Sequence, residues 1–334
     1  MPRVAVVIPN WNGKPWLGPC LEALRQQDYR DFTTIVVDNG SADGSVAYLQ
    51  GTFPEVVVCP LPSNLGFAAG MNAGIRLAGQ AEYVAALNND TVADPAWLSS
   101  LVAALDPAPR AGSAASLMLA MHDPQIVDTA GDGYGWTGLP FKLGSGRSRS
   151  VVPTAPFAVF GASAGACLYR ATMLAEVGLF DETYFAYMED VDLSLRAQMA
   201  GWTCLSVPGS TVRHAGAASS GGGPSAFSVR LSTRNLVVTI LKNAPGPLLA
   251  VMLACAGVLQ LGAIVATVVT GRPVWLARTR RAWVRGVAEA VRAAPAALAG
   301  RRQTRALRRM GALSFVRLLA AASAQRARFG KGQA

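Results

Sequence analysis

Thr33-Thr-Ile-Val-Val-Asp38, followed at once by Asn39-Gly-Ser-Ala-Asp-Gly44, is a β-branched run that stops on an acid and turns. A short apolar run closed by turn residues reads as a buried strand. Val4–Asn10 has the same form and ends on Pro9 and Asn10. Glu55–Cys59 is a third run, and Tyr83–Leu87, a fourth, lands on Asn88-Asn-Asp-Thr91. Helical patterns lie between them: residues 15–27 with Trp16, Cys20, Leu21 and Leu24 inward, a short segment to about Gln50, and one opened by Asn64–Gly74. Strands rich in Val and Ile that alternate with helices predict an α/β fold, a mostly parallel sheet with helices on both faces. Ligands of such sheets gather at the carboxyl ends of the strands, where Asp38 and Asn88–Asp90 fall.

A dinucleotide fold would need G-x-G-x-x-G straight after the first strand. That place reads Asn10-Trp-Asn-Gly-Lys-Pro-Trp16, with one glycine, which argues against a nicotinamide cofactor. The 334 residues leave room for two domains or one large one. Five cysteines (20, 59, 167, 204 and 255) without CxxC spacing argue for reduced thiols rather than disulfides or zinc. The opening Met-Pro-Arg-Val-Ala-Val-Val-Ile-Pro9 is too short an apolar run for a secretory signal, so a cytoplasmic catalytic portion is expected.

Residues 106–160 read as irregular, Pro- and Gly-rich loops that line a cleft or simply cover the surface. Phe157–Arg170 reads as a strand interrupted by Gly161-Ala-Ser-Ala-Gly165, where small residues allow close backbone approach. Thr203–Val207 is another strand, followed by Ser210–Gly216 with His214. Ala217–Ser225, containing Gly221-Gly-Gly-Pro224, is expected to be a flexible lid.

Phe180–Trp202 carries five carboxylates: Asp181, Glu182, Glu189, Asp190 and Asp192. Val191, Leu195 and Met199 recur every fourth residue, so a helix starts near Asp190 and ends at Gly201. Acids in a first helical turn are favoured by the helix dipole alone. The sharper reading makes one of them a general base beside apolar walls that raise its pKa.

Taken in order, Val7-Ile-Pro-Asn-Trp-Asn12, Val36–Ser45, Asn64–Gly74, Leu87-Asn-Asn-Asp-Thr91, Gly178–Arg196, Ala200-Gly-Trp202 and His214 resemble the family 2 inverting glycosyltransferases of GT-A fold, particularly their bacterial rhamnosyltransferase and galactofuranosyltransferase-like branch. The resemblance spans residues 4 to about 243 and implies a nucleotide-sugar donor, a divalent cation (Mg²⁺ or Mn²⁺) and inversion. The family's Asp-x-Asp metal motif falls on Asn88-Asn89-Asp90, so Asp90 carries the charge, and His214 falls at the distal metal ligand. Asp190 corresponds to the catalytic base, and Glu189 is placed at an acceptor hydroxyl. Asp38 matches the nucleobase contact beside Pro9 and Asn10, while Asn64, Gly66 and Asn72 fall where similar enzymes wrap base and ribose. Asn88, a hard but neutral oxygen ligand at that motif's first position, is counted with the donor-binding residues; Arg230 and Arg234, after the Gly-rich loop, clamp phosphate or stay solvated, and Trp202 falls in the acceptor site or in the core. Gln198-Met-Ala-Gly-Trp202 lacks the Arg of the processive Gln-x-x-Arg-Trp motif, which implies one sugar per encounter. The expected reaction is rhamnosyl transfer from dTDP-rhamnose to a lipid-linked or polysaccharide acceptor. UDP-galactofuranose or another UDP- or GDP-sugar is the alternative donor, and a basic membrane-binding module the alternative without catalysis.

The net charge of +10 is unevenly distributed: residues 272–334 hold 15 Lys and Arg against one acid, Glu289. Leu248–Thr270 precedes them with no charge at all. A single crossing would separate this tail from the catalytic part, whereas both belong on the cytoplasmic side. The expectation is a peripheral or monotopic enzyme on the cytoplasmic face of the inner membrane. Residues 245–334 would lie on anionic lipid, with Trp275, Trp283 and Phe315 at headgroup level. A hydrophobic homo-oligomer interface is the alternative. No nucleic acid is expected. The parts are a donor-binding half at 1–118, an acceptor-binding half with the lid at 119–228, and a membrane-associating region at 229–334.

Overall fold

The computed structural model describes residues 2–216, 225–270 and 275–330, and for 263–270 and 275–278 the backbone only. Gly221–Pro224 and the side chain of Trp275 lie outside the described residues.

Four parallel strands form the first part of the sheet: β1 (Val4–Asn10), β2 (Phe32–Asp38), β3 (Val57–Pro60) and β4 (Tyr83–Leu87), in the order β3-β2-β1-β4. Helices α1 (Lys14–Arg25), α2 (Ser45–Thr52) and α3 (Phe67–Leu77) make the crossovers. Along β1, Val4, Val6 and Ile8 pack with Leu17, Leu21 and Leu24 of α1, while Ala5 and Val7 pack with Met71 and Ile75 of α3. Alternate residues thus serve two cores, which is why the strand is apolar throughout. Gly74 lets α3 approach closely, since a Cβ there would collide with Val7.

Short β5 (Thr91–Ala93) and helix α4 (Trp97–Leu105) lead into β6 (Ala111–Ala120), which the sequence reading placed in irregular loops. That run, Ala-Gly-Ser-Ala-Ala-Ser-Leu-Met-Leu-Ala, has no β-branched residue, so its local preference says nothing of a strand. Burial on both faces decides it, between β12 (Thr203–His214) on one side and β11 (Ala166–Arg170) on the other. β11 runs antiparallel to β4 and β6 and joins the two halves of the sheet. β7 (Asp123–Thr129) pairs with β6, β10 (Phe157–Val159) with β12, and β8 (Asp132–Tyr134) with β9 (Pro140–Lys142) in a small hairpin. The boundary expected at 118/119 falls inside β6, so the two expected halves share one sheet.

Helices α5 (Ala171–Val177) and α6 (Glu189–Met199) cover the α3 face of the sheet. Four more follow: α7 (Ala226–Asn243), α8 (Gly246–Thr270), α9 (Trp275–Leu307) and α10 (Ala312–Gly330). Val191 and Leu195 of α6 meet Leu236 and Ile240 of α7, Met252 of α8 and Phe315 and Leu319 of α10 in a third apolar cluster. Phe315, expected at headgroup level, is therefore buried: α10 folds its apolar face back onto the protein. Trp283 donates its indole N–H to Gln260 Oε1 at 2.8 Å, tying α9 to α8. Among the described residues no helix is long and apolar enough to cross a membrane.

Candidate active site

The carboxyl ends of β1 and β2 lie in register, Asn10 beside Asp38, and both side chains are buried. Asn10 Nδ2 donates to Asp38 Oδ1 at 2.9 Å, and Asn10 Oδ1 accepts from Asn89 Nδ2 at 2.7 Å. The second Asp38 oxygen accepts the backbone N–H of Ser41 at 2.9 Å. Three strand ends are tied in one polar network, with Pro9 half-buried at its side. Buried polar atoms must find such partners, so the network fixes the floor where a ligand would rest.

The chain leaves β4 at Asn88, whose backbone N–H donates to Gly165 O at 2.8 Å. β5 pairs antiparallel with the end of β12, Thr91 opposite His214, and Ala215 N–H donates to Asp90 O at 3.0 Å. This pairing sets Asp90 and His214 side by side, with Nε2 3.4 Å from Oδ1. His214 Nδ1 lies 2.8 Å from Asp128 Oδ2, and Lys142 Nζ donates to the other Asp128 oxygen at 2.7 Å. Burial alone would lower the His214 pKa, but its bonds to Asp128 and Asp90 outweigh that and raise it to about 9. Burial would raise the Asp128 carboxyl, yet His214 and Lys142 hold it down at about 2. Asp128 and Lys142 escaped the sequence reading because they lie on β7 and β9, inside the stretch read as loops.

Among the described residues no three His, Cys, Asp or Glu side chains are grouped to hold a metal unaided. Adjacent ligands of an octahedral divalent cation with bonds near 2.1 Å stand about 3 Å apart. The 3.4 Å between Asp90 Oδ1 and His214 Nε2 is close to that, and Asp128 on the far ring nitrogen fixes the imidazole's orientation. The pair would fit two adjacent positions around such a cation, with His214 giving up its Nε2 proton on binding.

Asp190, in the first turn of α6, is tied to the segment that holds Asn88. Asp190 accepts the N–H of Val191 at 2.8 Å and of Ala164 at 3.3 Å, one residue from the Gly165 carbonyl that holds Asn88. Gly161 lies against Ser194 where a Cβ would not fit, so the small residues of 161–165 do permit close approach of α6. Burial raises the Asp190 pKa despite these bonds. Glu189 is 6% exposed, and its Oε2 has no hydrogen-bond partner. Burial, and then the Asp190 charge, push it up to about 8. Asp132 on β8 is a third acid here, raised to about 7 by burial and the Asp190 charge. Asp192 points the other way, into the protein, bonded to Arg196, Lys242 and Asn243 at 2.8–3.0 Å. Removing one partner of such a buried ion pair costs ~3–5 kcal/mol, so this cluster anchors α6 to α7.

Residues 5–163 match the profile of Glycosyl transferase family 2. The chain is 31% identical over 242 residues to the N-acetylglucosaminyl-diphospho-decaprenol L-rhamnosyltransferase of Mycobacterium tuberculosis, covering 66% of this chain and 78% of that one. The chain belongs to glycosyl transferase family 2. This glycosyltransferase also shares its fold with solved GT-A structures. Staphylococcus aureus TarS 1–349 superposes with a TM-score of 0.54 at 16% identity, over 98% of this chain and 89% of that one. The mannosyltransferase PcManGT of Pyrobaculum calidifontis, in complex with GDP-Man and Mn²⁺, gives 0.53 at 17%, over 98% and 87%. GalNAc-T7 with UDP, GalNAc and Mn²⁺ gives 0.59 at 17% over 72% of this chain, which spans about half of that protein's length (48%).

The other family-motif positions of this glycosyltransferase are less uniform. Asn64 Oδ1 accepts Gly66 N–H at 2.9 Å in a local turn. Gly66 has φ +91°, and a Cβ there would lie 2.5 Å from the Phe185 carbonyl oxygen, so only glycine suits it. Asn72 is 2% exposed, and its amide bonds Phe180 N–H, Phe180 O and Glu182 Oε1. It clamps the 180–182 segment rather than opening onto a nucleotide. Arg234 directs Nη1 to Thr183 O and Asn235 Oδ1, both at 2.8 Å. Trp202, read as an acceptor-site or a core residue, takes the core place. It precedes Thr203 at the opposite end of β12 from His214, roughly 35 Å away along the strand. Its ring packs in the core under Arg110, and its indole N–H donates to Glu176 at 2.9 Å.

Ahead of α6 the backbone is strained. Phe185 (φ 64°, ψ −65°) is the centre of a tight three-residue turn in which Ala186 N–H donates to Tyr184 O at 2.8 Å. Tyr187 and Met188 follow with φ of 68° and 71°. Such residues cost about 1–3 kcal/mol each and persist only where their surroundings enforce them.

Proposed function

We propose that this glycosyltransferase moves rhamnose from dTDP-rhamnose, with inversion and one sugar per encounter, onto the sugar of a lipid-linked acceptor. The observation that carries the reading is the Asp90–His214 pair at the strand ends with Asp190 bonded into the adjoining 161–165 segment. Asp38 and Asn10 meet the nucleobase, with Pro9, Asn64 and Gly66 beside it, and Asn88 lies toward the phosphates. Asp90 and His214 hold a Mg²⁺ or Mn²⁺ that, when bound, neutralises charge on the departing diphosphate. Asp190 takes the proton of the attacking acceptor hydroxyl from the face opposite that diphosphate. Its buried setting makes it more avid for that proton than an exposed carboxylate. Glu189, with a free buried oxygen, accepts a hydrogen bond from the acceptor sugar.

The mycobacterial relative supports rhamnose and a polyprenyl-diphosphate acceptor. A lipid acceptor also accords with the outer face of α8, where Val258 and Leu261 are exposed beside the arginine-rich α9. On this reading residues 245–334 rest on the anionic cytoplasmic leaflet. The test is a panel of dTDP-rhamnose, UDP-galactofuranose, UDP-GlcNAc and GDP-mannose. Each is incubated with Mn²⁺ or Mg²⁺ and N-acetylglucosaminyl-diphospho-polyprenol, and nucleoside diphosphate release is measured. Release of dTDP that depends on acceptor and cation is expected; release of UDP or GDP alone overturns the donor assignment.

A further inference from the structure

We propose that Asn235 of α7 is a positioning residue that sets where Glu189 and Asp190 stand by clamping the strained backbone before them. The proposal rests on the reading of Asp190 as base. Asn235 is wholly buried, and its Nδ2 lies 3.0, 3.0 and 2.8 Å from the carbonyl oxygens of Tyr184, Ala186 and Tyr187. Those carbonyls flank the Phe185 turn and reach to within two residues of Glu189. Arg234 Nη1 donates to Asn235 Oδ1 and to Thr183 O, both at 2.8 Å. With its oxygen held by a guanidinium, the Asn235 amide must turn its N–H groups toward the loop.

Three carbonyls, of Tyr184, Ala186 and Tyr187, sharing the two N–H bonds of one amide are a strong constraint on a segment with φ positive at Phe185, Tyr187 and Met188. Met188 N-caps α6, and its carbonyl accepts Asp192 N–H at 2.9 Å, so a change of φ there re-aims the first turn. That turn carries both acids. The Asp192 cluster fixes the α6 body to the same α7 helix about two turns further on. Asn235 therefore governs the approach to the helix while the cluster governs its axis.

The test uses the full chain with dTDP-rhamnose, Mn²⁺ and the polyprenyl acceptor, reading kcat, donor KM and the affinity for dTDP with Mn²⁺. Asn235→Ala is expected to lower kcat by about 10–100-fold while donor KM and dTDP affinity stay within about twofold, because a small displacement of a reacting group is costly. Adding Tyr187→Gly, which takes φ near +68° without strain, should recover several-fold of that loss. A wild-type kcat in Asn235→Ala overturns the proposal, as does an equal loss of dTDP affinity or no recovery in the double variant. If Asn235→Ala yields no folded protein, Asn235→Gln, which sets the amide one methylene away, is read by the same criteria. Turnover retained by Asp190→Asn would remove the base reading itself, and this proposal with it.

Discussion

His214 Nδ1 and Asp128 Oδ2 stand 2.8 Å apart, and this contact leaves Nε2 as the ring nitrogen that faces Asp90. A carboxylate behind a ligating imidazole orients it and raises its basicity; removing it usually costs ~10–100-fold in metal affinity. Asp128→Ala should weaken Mn²⁺ binding in the presence of dTDP by that factor, measured by calorimetry or by the Mn²⁺ resonance signal. Unchanged affinity would show that His214 does not ligate through this relay.

Asp190 and Glu189 are neighbours in sequence with different tasks, and replacing each should separate them. Asp190→Asn keeps the shape and one acceptor oxygen, enough for the N–H of Val191 or of Ala164 but not both, and has no basicity. Transfer should fall by about three orders of magnitude, within the range general-base catalysis supplies. Affinity for dTDP should not change, because the proposed nucleotide contacts, Asn10 and Asp38, sit at the ends of β1 and β2 and not on α6. Normal turnover in Asp190→Asn would move the base elsewhere, with Asp132 the first place to look.

The first four strands and the start of α6 were legible in the sequence because local preference and tertiary burial agree there. β6 was not, since its Ala, Ser and Leu residues have no strand preference and only the flanking strands make it one. Losing β6, with β7 and β9 beyond it, hid Asp128 and Lys142. Motif order brought out Asp90 and His214, yet only the β5–β12 pairing shows why they meet. Asn72 and Trp202 show the limit of motif spacing: a polar or aromatic residue in a motif is as readily an internal fastening as a ligand contact, and spacing does not separate the two. Asn235 gave no signal, because a buried side chain whose partners are backbone carbonyls leaves no pattern.

Glu189 predicts a pH dependence of stability with a definite sign. Burial raises its pKa to about 8, above the ordinary 4.5. A carboxyl raised on folding contributes fully below its unfolded pKa, and that contribution is lost as pH climbs through the folded value. Wild type should therefore lose stability from this group between about pH 4.5 and 8, while Glu189→Gln should not. The variant's Tm should match wild type near pH 5 and exceed it at pH 8–9, by about 1–2 °C for each kcal/mol relieved. A constant difference across that range would mean that Glu189 is not a raised, buried acid.

Trp202 should act on stability and not on the acceptor. Trp202→Phe keeps most of the apolar volume but loses the indole N–H bond to Glu176 and weakens the stacking with Arg110. Together these are worth about 1–3 kcal/mol. Thermal unfolding should report a Tm lower by several degrees, with acceptor KM within about twofold of wild type. A raised acceptor KM at unchanged Tm would restore Trp202 to the acceptor side, against its place at the far end of β12.

The C-terminal helices bear on where the enzyme works. Their inner faces are occupied, as Phe315 and Leu319 show, so on the proposed reading lipid contact falls to exposed side chains such as Val258 and Leu261 of α8, Val291 of α9 and Leu313 of α10, with the arginines of α9 and α10. Each basic side chain near an anionic surface adds about 1 kcal/mol at physiological salt, falling off within a Debye length. Full-length protein should co-sediment with phosphatidylglycerol vesicles and much less with phosphatidylcholine vesicles, and high salt should release most of it. Leu261→Asp should weaken what salt does not remove, because it sets a charge on the exposed apolar ridge. Equal binding to both vesicle types, or to neither, would leave these helices as packing for α7 and an interface between copies as the better account of the exposed face.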